Sequence, residues 1–144
     1  MRDDNSEQTG TEPTSGELSA PVVEGVFDLA RQGATGPLGE MIDAGVPIDI
    51  RNDRGDTVLI VAAYQQHVDT VAELLRRGAD TGVVNAMGQT AIACAVFRGN
   101  EVILRALLDA GANPGLGAPT GVQIADQFGM PRMREVIESY GIGA

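Results

Sequence analysis

The sequence predicts an all-α protein, built as a solenoid of stacked helix–turn–helix repeats. The first observation behind this prediction is a period of 33 residues, which separates Gly45 from Gly78 and Gly78 from Gly111. The second is that each period contains two apolar segments, divided by a short polar break. The third is that apolar residues in these segments recur every three or four positions, as on one face of a helix. Because one such helix pair has too little interior to be stable alone, the units are expected to stack.

Residues 1–20 are expected to form a disordered acidic tail that precedes the solenoid. They hold five carboxylates against one arginine, and Leu18 is the only sizeable apolar side chain after Met1. Such a stretch cannot bury enough apolar surface to offset the entropy that ordering would cost. The tail is interpreted as a solubilising leader, with docking on a partner as the alternative. The repeat domain is then expected to occupy residues 21–144.

Four repeats are expected in this domain, of which the first and last are atypical. Their approximate bounds are 21–52, 53–85, 86–118 and 119–144. In the two central repeats the first helices are predicted over VLIVAA (58–63) and AIACAV (91–96). Each second helix ends at a glycine, which readily adopts the positive φ that terminates helices. Thr120 follows Thr90 by only 30 residues, so the loop before Thr120 is expected to be three residues shorter than its counterpart.

These motifs resemble the ankyrin repeat family. The family pattern runs roughly G-x-T-P-L-H-x-A-A-x-x-G-H, and continues through an apolar helix to L-L-x-x-G-A-D. The segments that fit it are GDTVLIVAAYQQH (55–67) with ELLRRGAD (73–80), and GQTAIACAVFRGN (88–100) with ALLDAGAN (106–113). The first and fourth repeats are similar to terminal capping repeats. The resemblance implies short hairpin-like loops between repeats and a concave face that binds other proteins.

The sequence offers little material for a catalytic or metal site. His67 is the only histidine and Cys94 the only cysteine, which excludes a Cys/His metal cluster and an internal disulfide. The serines lie in the tail or near the chain ends, which disfavours a Ser-His-Asp triad. His67 is interpreted as structural and Cys94 as a small buried apolar side chain. We therefore expect no metal, no cofactor and no enzymatic activity, with a carboxylate-based hydrolase as the remote alternative.

The resemblance also implies which residues form the partner surface, because the family binds partners with turn tips and the ends of first helices. Carried over by motif, the candidates are Arg31, Gln32, Arg54, Asp56, Tyr64, Gln65, Met87, Gln89, Phe97, Arg98, Gln127 and Phe128. Three of the five aromatic residues of the chain fall in this set. Aromatic and arginine side chains suit an interface because they bury large areas at low entropic cost. For Tyr64 and Phe97 the alternative is that they only pack against the neighbouring repeat.

The net charge of the chain indicates which kinds of partner are favoured. Ten arginines against 20 acidic residues give a net charge of −10, which argues against binding nucleic acid or an anionic membrane through bulk charge. No apolar run approaches the roughly 20 residues of a membrane span, and the first residues lack a signal-peptide pattern. We expect a cytoplasmic monomer that binds another protein without catalysis, favouring a partner with a basic patch. The alternative is an acidic inhibitor or immunity-type regulator that blocks a basic site.

Overall fold

The computed structural model describes residues 18–141, which fold into eight helices joined by turns and loops. In chain order the helices are α1 (Ala20–Gln32), α2 (Thr35–Asp43), α3 (Val58–Tyr64), α4 (Val68–Arg76), α5 (Ala91–Phe97), α6 (Glu101–Asp109), α7 (Gly121–Gln127) and α8 (Pro131–Ser139). No strand occurs in this part of the chain. The prediction of an all-α repeat fold is confirmed.

The helices are arranged in two rows. A first row contains α1, α3, α5 and α7, which pack side by side in that order. A second row contains α2, α4, α6 and α8, and each of these also packs against the first-row helix of its own repeat. Each repeat therefore packs on its neighbours along the chain, as in a solenoid. None of the helices between residues 18 and 141 has the length and hydropathy that a membrane span requires.

The first helix begins before the predicted end of the tail. Ser19 is the N-cap of α1, and its hydroxyl oxygen accepts a hydrogen bond from the Val22 backbone N–H at 3.4 Å. Leu18 packs against the core. These residues were predicted to belong to the tail, but a capping side chain satisfies an N–H group that has no partner inside the helix. The rest of the predicted tail, residues 1–17, lies outside the described residues.

Threonines begin the other three helices of the first row. The hydroxyl oxygens of Thr57, Thr90 and Thr120 each accept a hydrogen bond from the backbone N–H three residues later, at 3.2, 3.0 and 3.2 Å. The side chain of Gln123 returns a bond to the Thr120 backbone N–H at 2.9 Å, which completes a capping box. Threonine therefore recurs in the sequence because each repeat begins at the same cap.

Two of the loops between repeats form matching fingers, held by Asn52 and Asn85. In each finger the side-chain oxygen of the asparagine accepts hydrogen bonds from the backbone N–H groups two and four residues later, at 2.9–3.0 Å. The shorter loop before Thr120 has Gly115 at the corresponding position. Because glycine has no side-chain acceptor, that loop cannot form the same finger.

The core lies between the two rows and is mainly aliphatic. The second row contributes Leu74, Ile103, Leu104 and Leu107, which are all fully buried. They pack toward first-row helices whose buried faces are rich in alanine and valine. Small side chains allow helices to approach closely, and Phe27 of α1 is the one buried aromatic residue of the described core.

Arginine–carboxylate pairs cover the surface of the second row. Arg77 bonds to Asp43 of the preceding repeat at 2.8 Å and to Glu73 of its own helix at 2.7 Å. The hydrogen bonds that Glu73 accepts from Arg76 and Arg77 lower the pKa of its carboxyl to about 2. Exposed pairs of this kind contribute little stability individually, but they neutralise the arginines that form them.

Candidate functional site

Three aromatic rings lie exposed at the ends of first-row helices. Tyr64 and Phe97 are the last residues of α3 and α5, and Phe128 directly follows α7. The ring centroids of Tyr64 and Phe97 are 6.4 Å apart with nearly parallel planes, and those of Phe97 and Phe128 are 5.6 Å apart with nearly perpendicular planes. The three residues are 38%, 49% and 54% exposed. We call this set, which crosses three repeats, the aromatic ladder.

Two of the three rings of the ladder occupy the same position in the repeat, and the third does not. Gln127, like Tyr64 and Phe97, lies seven residues after the threonine that caps its helix. The third ring nevertheless comes from Phe128, at the C-cap position of α7, while Gln127 is exposed. Both were candidates, and Phe128 is the one whose ring packs on Phe97. Gln32, at the end of α1, is exposed as well.

Arg98 adds a positive charge to the ladder. The carbon at the centre of its guanidinium group lies 4.8 Å from the centroid of the Tyr64 ring. A cation above an aromatic ring is attracted by roughly 0.5–1 kcal/mol at an exposed site. The rings and Arg98 thus pack on one another while more than a third of each aromatic residue stays open to solvent.

A cavity of about 350 Å³ opens beside Tyr64, between α3 and the finger held by Asn85. Met87 is at the tip of that finger and is 71% exposed. Seven of the twelve predicted partner residues line this cavity. They are Arg31, Arg54, Asp56, Tyr64, Gln65, Met87 and Gln89. We call the cavity together with the aromatic ladder the groove.

A second cavity, of about 590 Å³, continues from the groove toward α1. Arg31 and Arg54 line both cavities, so the two cavities adjoin each other. Val23 and Phe27 of α1 contribute apolar surface to the second cavity.

Asp56 differs from the other candidates because it is only 9% exposed. Its carboxylate accepts a hydrogen bond from the side-chain amide of Asn85 at 2.7 Å and another from Arg54 Nε at 3.4 Å. Asp56 and Asn85 belong to successive fingers. The carboxylate therefore holds these fingers together, and only its edge reaches the cavity.

Ile60, Val61 and Cys94 line the cavity but were not among the candidates. They lie in the apolar runs of α3 and α5 and are almost fully buried. Their sequence signal is the same as that of core residues, so periodicity alone could not distinguish a cavity wall from the core.

His67 has the structural role that was predicted. Its Nε2 atom lies 2.7 Å from the backbone carbonyl oxygen of Arg31 in the preceding repeat. Because a carbonyl oxygen only accepts, Nε2 carries the hydrogen. The ring also packs so closely on Gly33 that a Cβ atom there would lie 2.6 Å from His67 Nδ1. Within residues 18–141, no three His, Cys, Asp or Glu side chains are grouped as a metal site would require.

Cys94 is buried, as predicted, at 3% exposure. Burial, and to a lesser extent the charge of Asp56, raises the pKa of its thiol to about 12. Because the thiolate is the reactive form, we expect Cys94 in the folded protein to react very slowly with Ellman's reagent at about pH 8, near the pKa of an ordinary thiol. Unfolding in urea should expose one reactive thiol per chain. Rapid labelling of the folded protein would contradict this expectation.

Comparison with known proteins assigns the family. Residues 28–117 match the family model of ankyrin repeats, in three copies. The chain belongs to the ankyrin repeat family. The resemblance inferred from the motifs is confirmed, and the structure adds the helix pair α7 and α8 beyond the matched segment. Ankyrin repeats are protein–protein interaction modules and are generally non-catalytic.

Curated ankyrin repeat proteins share short segments with this chain. An ankyrin repeat protein of Pseudomonas aeruginosa is 45% identical over 49 residues, which cover 34% of this chain and 29% of that protein. Ankyrin repeat domain-containing protein 29 of Homo sapiens is 41% identical over 61 residues, 42% of this chain and 20% of that protein. Its counterpart in Danio rerio is 38% identical over 61 residues, which again cover 42% of this chain and 20% of that protein. The matched segments thus span less than a third of each of these relatives.

Proposed function

We propose that this ankyrin repeat protein is a non-catalytic module that binds another protein through the concave face of its repeat stack, on the groove. The aromatic ladder is the observation that carries this proposal. Three adjacent repeats each place an aromatic ring at the same edge of the stack, and every ring is more than a third exposed. Large aromatic side chains cluster in this way at the centres of interfaces, where few residues supply most of the binding energy.

Binding would rely on a surface that is already formed. The helices that carry Tyr64 and Phe97 begin at side-chain caps, and the finger that carries Met87 is held by bonds to Asn85. A partner that meets such a surface loses little of its binding free energy to ordering the module. A large aromatic side chain buries roughly 150–250 Å² in full, and about 38–54% of each ladder residue is still open to a partner.

The net charge of the chain bears on which partners the module can bind. We propose a cytoplasmic monomer that binds neither nucleic acid nor membrane, because the net charge of −10 repels both. A basic patch on the partner would be attracted at long range by carboxylates outside the groove. The alternative, an acidic regulator that blocks a basic site, predicts binding that does not depend on the ladder and that weakens steeply as salt increases.

Capture from a lysate of the native organism tests the proposal. The variant Tyr64→Ala/Phe97→Ala is expected to lose its partner by about 30-fold or more in affinity, since hot-spot residues contribute at least about 2 kcal/mol. Quantitative mass spectrometry of the captured proteins measures this loss. Both substituted side chains lie at the surface edge of the stack, so the variant should still fold, and circular dichroism with thermal unfolding checks that it does.

The matched control is Val68→Ala/Val102→Ala, which removes exposed apolar side chains from α4 and α6 in the second row. This control should capture the same proteins as wild type. Recovery of the same proteins by wild type and by the ladder variant would refute the proposal.

A further inference from the structure

The arginines of the second row are already paired with carboxylates of the same chain. Each lies at ion-pair distance from a carboxylate: Arg76 at 2.6 Å and Arg77 at 2.7 Å from Glu73, Arg105 at 2.9 Å and Arg132 at 3.0 Å from Glu101, and Arg134 at 2.8 Å from Glu138. These groups offer little to a partner, because a new carboxylate would have to replace one that is already bound.

Two arginines of the groove, Arg54 and Arg98, keep donors that no carboxylate of the described chain uses. Arg98 contacts the Tyr64 ring, and among residues 18–141 no carboxylate lies at ion-pair distance from it. The Arg54 side chain is 68% exposed, and its contact within the described chain is the 3.4 Å bond from Nε to Asp56. Its two terminal nitrogens make no hydrogen bond to those residues. A guanidinium group uses such nitrogens to bind a carboxylate bidentately.

The groove has more cations than carboxylates. Arg31, Arg54 and one carboxylate, that of Asp56, line the cavity, and Arg98 rests on the Tyr64 ring in its wall. Arg31 is neutralised by Asp28 at 2.8 Å, and Asp56 also accepts a bond from an asparagine. Arg54 and Arg98 are therefore the cations of the groove that are open to a partner, whereas the adjoining second cavity has Glu24 and Asp53 beside Arg51.

Apolar surface lies directly beside these cations. The Tyr64 ring is a wall of the cavity and also the surface on which Arg98 rests. Met87 extends from the finger on the other side of the cavity and is largely exposed. A single short segment could therefore place a carboxylate on the guanidinium groups and an apolar side chain on the ladder.

We propose that the groove binds an acidic segment of another protein, in which Asp or Glu lies next to a bulky apolar residue. The carboxylate would bind Arg54 and Arg98, and the apolar side chain would pack on the aromatic ladder. This inference rests on the proposed function and specifies its ligand. It also departs from the basic partner that net charge alone predicts, because net charge sums over the whole chain whereas Arg54 and Arg98 act locally in the groove.

Selection from a library of random linear peptides displayed on phage, with the full chain as the target, tests the inference. The enriched peptides should combine Asp or Glu with a neighbouring Leu, Ile, Phe, Tyr or Trp. Their affinity, measured by fluorescence anisotropy, should fall about tenfold or more for Arg54→Gln/Arg98→Gln, as expected when charge-assisted hydrogen bonds are lost. Affinity should also fall as salt increases.

The matched control is Arg76→Gln/Arg132→Gln, which removes two exposed arginines from the second row. It should change affinity by less than about twofold, because these arginines lie outside the groove and are paired with Glu73 and Glu101. Enrichment of basic or uncharged peptides, failure to enrich any peptide, or equal affinity for the groove variant and wild type would overturn the inference. Peptides that require Tyr64 and Phe97 but not the two arginines would overturn it while leaving the proposed function intact.

Discussion

Replacing Leu107 with alanine is expected to lower the free energy of unfolding by about 3–5 kcal/mol. Leu107 lies in α6, which packs on α4, α5 and α8, and its side chain is fully buried. The substitution removes apolar surface from the core and leaves a cavity, which the surrounding helices fill only in part. Because a whole domain is stable by only about 5–15 kcal/mol, this loss should be obvious in urea unfolding followed by circular dichroism.

Leu75→Ala provides the matched control, since Leu75 lies in α4 of the same row but is only partly buried. It should cost about 1 kcal/mol, because much of its side chain already contacts water. Equal losses for the two variants would show that packing between the rows does not dominate the stability of the stack.

Asn85→Ala is expected to cost about 2–4 kcal/mol, although it changes a loop. The Asn85 side chain accepts hydrogen bonds from the backbone N–H groups of Met87 and Gln89 and donates one to Asp56 at 2.7 Å. Its removal leaves a buried carboxylate without this donor, and unsatisfied buried groups are costly. Since the same finger carries a wall of the cavity, partner binding should weaken as well. Urea unfolding and capture of the partner measure the two effects.

Asn113→Ala is the control for this loop effect. Asn113 is exposed, and its side chain accepts one hydrogen bond, from the Gly115 backbone N–H at 2.8 Å. Its loss should cost less than about 1 kcal/mol. If Asn85→Ala proved equally mild, the asparagine fingers would not stabilise the stack.

Much of the fold could be predicted because its signals act over a few residues. Thr57 and Thr90 each bond to a backbone group three residues away. Gly78 and Gly111 adopt φ values of +88° and +90° directly after the C-cap residues of second-row helices, a conformation that glycine adopts without strain. Such features recur wherever the local sequence recurs, so a 33-residue period was sufficient to predict the repeats. The boundary of the tail was predicted less well, because Ser19 is a cap in a segment whose composition is typical of a tail.

The groove was predicted only in part. Position within the repeat correctly placed Tyr64 and Phe97 at neighbouring helix ends, where their rings meet. The same reasoning did not distinguish Gln127 from Phe128 as the source of the third ring. Nor did it indicate that Asp56 is buried, because the group that covers it, Asn85, lies 29 residues away in the chain.

The sequence by itself determined the repeated helix pairs and their order in the stack, because caps, glycine turns and apolar spacing depend on neighbouring residues. Only the tertiary structure decided which charges are neutralised and which remain available to a partner. Arg77 meets Asp43 across 34 positions, whereas Arg98 meets the ring of Tyr64 across the same separation. Coulomb attraction and ring packing depend on distances in space, and those distances exist only after the repeats have stacked.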